Sequence, residues 1–129
     1  MDDVTRKAIV DELGASFGEA VDKTPADGQP AHVLLPVLAL LPPWTPSPAR
    51  ALVRFTTDWP NQRPDFVIDL KVADKAGMPP RNNGGNPSTE TLVLGETWRQ
   101  FSFQFPWPQH PRTATRAVQL WLNRFRDPA

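Results

Sequence analysis

No cysteine occurs anywhere in the 129 residues, which excludes thioester chemistry, disulfides and thiolate metal sites. Histidine is scarce as well. His32 and His110 stand far apart, with no carboxylate or second histidine at ligand spacing, and a zinc site needs three or four converging ligands. No metal site is expected. Net charge is missing too, because fourteen basic side chains meet fourteen acidic ones, so nothing predicts long-range attraction to nucleic acid or anionic lipid. The longest apolar run, residues 33–41, is far short of the ~20 residues of a membrane helix and is broken by Pro36. The opening MDDVTRKAIVDELG is acidic and amphipathic and does not read as a signal peptide. Together with the missing cysteine this predicts a cytoplasmic protein. No serine stands in a GxSxG elbow, and the glycines match neither the GxxxxGK[ST] nor the GxGxxG pattern, so no cofactor is expected.

What is present is strong periodicity. Ile9, Leu13, Phe17 and Val21 recur every four positions, which predicts an amphipathic helix from Asp3 to about Lys23, with a bend near Gly14. Residues 32–41 and 50–58 predict two strands joined by the proline-dense loop Pro42 to Pro48. In residues 65–72, Phe66, Ile68, Leu70 and Val72 fall on one face and Asp65, Val67, Asp69 and Lys71 on the other, predicting a strand with one core face and one mostly wet face. Residues 74–90 are nearly all turn formers and predict a mobile loop. Residues 91–94 predict a short strand and residues 98–107 a longer one, with Phe101, Phe103, Phe105 and Trp107 on its buried face. The last segment alternates well enough for a strand, yet Val118, Trp121, Leu122 and Phe125 also fit the helical template. Thr113 or Thr115 as an N-cap and Asp127-Pro128 as a stop favour the helix. One domain spanning 1–129 accounts for a chain of this length. The charge is uneven: residues 1–30 carry seven acids against three bases, and residues 99–129 five arginines against Asp127 alone.

Little catalytic chemistry is on offer. Asp65 and Asp69 share a strand face where paired acids are ordinarily solvated, and a glycosidase pair needs a pocket and a raised pKa. Of the five tryptophans, Trp98, Trp107 and Trp121 sit on periodic segments and read as core, which leaves Trp44 and Trp59, in loops, open to a partner.

The order of elements, an opening helix, antiparallel strands, a loop, a strand and a closing helix, resembles the ubiquitin-conjugating (UBC-like) fold, and in particular its divergent bacterial members. Leu35-Pro36, Trp59-Pro60, Pro64-Asp65, Gly77 with Pro79, and Trp98-Arg99-Gln100-Phe101-Ser102 follow in the order of that family's motifs across nearly the whole chain. The resemblance implies an α+β fold with an N-terminal helix, a four-stranded antiparallel meander and a C-terminal helix. It would place the family's catalytic cysteine within residues 74–97, where none exists. Ser88 or Thr89 would need a general base in its stead, and Asn82, Asn83 or Asn86 would correspond to the family's oxyanion-supporting asparagine. The resemblance thus implies an inactive adaptor rather than an enzyme, binding a ubiquitin-like protein or an activating enzyme. Its contacts would be Arg6 and Lys7 on the first helix, with Trp44 in the proline loop and Trp59 as the second loop tryptophan. The rival reading is a β-sandwich jelly roll that binds carbohydrate, with residues 115–125 as a strand and Trp44 and Trp59 as the sugar platform. A third is an enzyme with a non-cysteine nucleophile.

Overall fold

The computed structural model describes residues 1–81, 88–100, 107 and 112–126. Helix α1 (Asp3–Phe17) begins where Asp2 caps it, its carboxylate accepting from the Thr5 amide at 2.7 Å. It ends earlier than the periodicity predicts. Gly18 takes φ 92°, and its amide returns to the Gly14 carbonyl at 3.1 Å, a left-handed stop that glycine adopts without a Cβ clash. Val21, the expected fourth member of the helical stripe, therefore opens a strand instead.

Six strands follow: β1 (Val21–Asp22), β2 (Ala31–Leu38), β3 (Ala49–Phe55), β4 (Asp65–Ile68), β5 (Thr89–Val93) and β6 (Glu96–Gln100), and helix α2 (Ala114–Arg126) closes the chain. They form one antiparallel sheet in the order β1-β2-β3-β4-β6-β5. The α+β architecture with a helix at each end is as expected, but the sheet has six strands rather than four. The additional two are β1, whose Val21 the periodicity assigns to the helix, and β5, the short strand expected at residues 91–94 and found at Thr89–Val93. Pro36, which has no amide to donate, falls where the β2–β3 register shifts between Leu35 and Leu38. Residues 101–106 and His110, with the predicted aromatic face of the last strand, lie outside the described residues, as do Asn82, Asn83 and Asn86.

One face of the sheet carries the main core. Val33, Leu35, Ala51, Val53, Phe55, Phe66 and Ile68 pack with Ile9 and Leu13 of α1 and with Ala117, Val118, Trp121 and Phe125 of α2. Trp121 stacks on Phe66 at 4.8 Å and 6°, and meets Phe125 edge-on at 5.4 Å. Each such buried side chain contributes about 1.5–3 kcal/mol. The helical template thus holds at the C-terminus, where Thr113 is the N-cap: its hydroxyl accepts from the Arg116 amide at 3.1 Å and its carbonyl from Ala117. Glu12 of α1 supplies a second cap by accepting from the Thr115 amide, beside a 2.8 Å bond between the Ser16 and Thr115 hydroxyls. A carboxylate at this end also meets the positive pole of the helix. With α2 helical, the jelly-roll alternative falls. The other face of β4 departs from expectation too, because Val67 is fully buried in a second cluster with Leu52, Val93 and Trp98. Among the described residues no helix is long and apolar enough to cross a membrane.

Candidate functional site

Both helices lie on one face of the sheet, so its opposite face is where a site has room. Leu52 pairs with Val67, and Arg99 pairs with Ile68 of the core face, so the preceding residue, Trp98, faces away from the helices. Its indole is the floor of this face. The Arg50 guanidinium lies 4.8 Å above the Trp98 ring, an attractive cation–π distance. One Arg50 nitrogen, Nη2, donates to both Glu96 carboxylate oxygens, at 2.7 and 2.8 Å. An ion pair as exposed as this one adds at most about 1 kcal/mol of stability, but it fixes where both charges stand.

Beside this stack opens a cleft of about 250 Å³. Leu34, Leu52, Val93 and Leu94 form its apolar wall, and Lys23, Arg50 and Glu96 carry its charges. Two cations against one carboxylate leave a net charge of +1. Lys23 is exposed, and its ammonium group has no ion-pair partner among the described residues.

The wall is completed by the turn of the β5–β6 hairpin. Val93 pairs with Glu96 across the two-residue loop Leu94-Gly95, whose φ values of 51° and 78° give the double left-handed geometry of a type I′ turn. Asn-Gly is the sequence that folding alone favours there, because a left-handed backbone costs most L-residues about 1–2 kcal/mol. A leucine occupies the first position instead. Leu94 is 47% exposed, and its neighbour on the hairpin, Leu92, is 71% exposed.

The four residues expected to bind a partner are not brought together. Trp44 is only 4% exposed. Its Nε1 donates to the Phe125 carbonyl at 2.8 Å, and its ring meets Phe125 edge-on at 5.5 Å, so the proline loop closes over the end of α2 and the indole offers no surface. Trp59 is half-buried in an aromatic corner, 4.9 Å from Phe55 and 5.6 Å from Trp107, whose own Nε1 donates to the Pro60 carbonyl. The two rings form no sugar platform. Arg6 faces inward to Asp3 at 2.9 Å, Asp22 at 3.0 Å and Asp27 at 3.4 Å, fastening α1 to the segment around β1. Lys7 remains on the outer side of α1, exposed and paired with Asp11 at 3.0 Å. Burial alone raises the Asp22 pKa, but hydrogen bonds from Thr24 and the charge of Arg6 outweigh it and hold the carboxyl below its usual value.

Among the described residues of 74–97, neither candidate hydroxyl is bonded to a base. Ser88 is buried and its hydroxyl has no hydrogen-bond partner among the described residues, while the Thr89 hydroxyl donates to the Gln100 carbonyl. The His32 ring is on β2, bonded to the Pro30 carbonyl. No group of three potential metal ligands occurs among the described residues. Sequence reasoning missed Lys23, Arg50, Leu94 and Glu96. The one local signal was Leu94-Gly95, a turn-forming position between two alternating segments. No family model, no curated protein and no solved structure matches the chain.

Proposed function

We propose that this chain is a non-catalytic binding module, a ubiquitin-conjugating-like adaptor that holds a ubiquitin-like protein or an activating enzyme on the open face of its sheet. The observation that carries the binding half of this reading is Leu94. A half-exposed leucine sits in a left-handed turn position that asparagine or glycine would fill at lower cost. Local strain of this kind concentrates at functional sites. Leu94 gives the hairpin tip an apolar surface next to a shaped, charged cleft. What supports the family half of the reading is the element order, an N-terminal helix, antiparallel strands β2, β3, β4 and β6 and a C-terminal helix, with β1 and β5 as additions. The absence of cysteine argues for binding over transfer and suits a reducing cytoplasm.

The test is biolayer interferometry of the purified chain and its Leu94→Asn variant against a panel of ubiquitin-like proteins and their activating enzymes. The variant relieves the turn, so its melting temperature rises. Loss of one aliphatic side chain from an interface weakens binding by about tenfold. A blank panel overturns the reading. Unchanged affinity of the variant removes the open face as the docking surface.

A further inference from the structure

We infer that the cleft beside Trp98 is a receptor for the C-terminal residue of a partner chain, taking an aliphatic side chain against Leu34, Leu52 and Leu94 and the terminal carboxylate against Lys23. The inference rests on the protein-binding reading and narrows it to one chemical class of ligand. Size is the first argument. An apolar cavity of about 150 Å³ holds one benzene, so 250 Å³ accommodates a single large residue.

Charge is the second argument. Arg50 is already bound to both oxygens of Glu96 and lies over Trp98, so these two charges largely answer each other. Lys23 is left over in the cleft lining, with no carboxylate paired to it among the described residues. A ligand that completes the site brings one negative charge and one apolar group within the volume of one residue. A C-terminal leucine, isoleucine or valine does so, because its side chain and its carboxylate leave the same Cα. An internal acidic–aliphatic pair needs two residues and an exit for the chain on both sides.

Titration of ¹⁵N-labelled protein with N-acetyl-leucine, N-acetyl-leucinamide and N-acetyl-glutamate α-amide, followed by amide and indole shifts, separates the possibilities. N-acetyl-leucine is expected to move the Trp98 indole and the Leu94 and Gly95 amides with a millimolar dissociation constant, as befits so small a probe. The uncharged leucinamide should bind at least fivefold more weakly, and Lys23→Gln should remove that preference while leaving the spectrum of the folded chain intact. Equal binding of leucinamide, or shifts confined to other surfaces, overturns the inference. Tighter binding of the glutamate amide does so as well, by assigning the site to an internal acidic side chain. Broadening of the Leu94 and Gly95 signals with protein concentration alone overturns it in favour of a second copy of this chain. If the interferometry panel binds while all three probes fail, the terminal-residue inference falls and the adaptor reading stands.

Discussion

On the helix-covered face of the sheet, Trp121 lies flat on Phe66 and edge-on to Phe125, within a core cluster drawn from two helices and three strands. On the open face, Trp98 belongs to a cluster of four buried residues and is roofed by one arginine whose charge is shared with an exposed glutamate. The same residue type is thus used in two ways. The first indole is packed on every side, so its removal leaves a cavity that rigid neighbours cannot fill. The second has a side chain for a lid, and a side chain moves more readily than a helix. Foldedness rests on the first face, which leaves the second able to carry strained and exposed residues such as Leu94.

The sharpest test of this division is the pair Trp121→Ala and Trp98→Ala in urea denaturation. The first should cost about 3–5 kcal/mol, enough to unfold much of the population, and the second about half that. Equal losses would mean that both faces are core and would break the distinction. Next in size is Glu12→Ala, which removes the carboxylate capping α2 and should cost about 1–2 kcal/mol by the same measurement. A loss below a few tenths would show that α2 is held by its apolar face alone.

The smallest effect concerns the fastening of α1 to the strand edge. The folded-state pKa of Asp22 is depressed, so its contribution is fully present above the unfolded carboxyl value of about 3.9. It is lost as the pH falls through the lower folded-state value, because the unfolded chain takes up the proton first. Acid titration of thermal stability should show this loss below about pH 4, and Arg6→Gln should reduce it, the Thr24 hydrogen bonds retaining the rest. For so exposed a group the change stays under about 1 kcal/mol.

Where a signal was local, the sequence was readable. The recurrence of Ile9, Leu13 and Phe17 marked α1, the alternation within residues 50–58 marked β3, and Val118, Trp121 and Phe125 marked the buried stripe of α2. What escaped depends on partners distant along the chain. Trp44 looked available in its proline loop because its acceptor, the Phe125 carbonyl, is 81 residues away. Val67 looked wet because its cover comes from Val93 and Trp98, on a hairpin that joins the sheet only through β6. Arg6 looked like a contact residue because two of its three carboxylates lie beyond the turn at Gly18. The cleft was invisible for the same reason, since its wall is assembled from strands β2, β3, β5 and β6 and the residue after β1.

The bond between Glu12 and the Thr115 amide spans 103 positions, and the neighbouring Ser16–Thr115 bond spans 99. A ribosome adding ~5–20 residues per second releases the first helix several seconds before the last one exists to receive it. During that interval Ile9 and Leu13 have only part of the surface that finally covers them, and contacts of such long sequence separation are also slow to form. The nascent chain is therefore expected to be a chaperone client until α2 has emerged, and variants truncated before residue 113 should accumulate as insoluble protein.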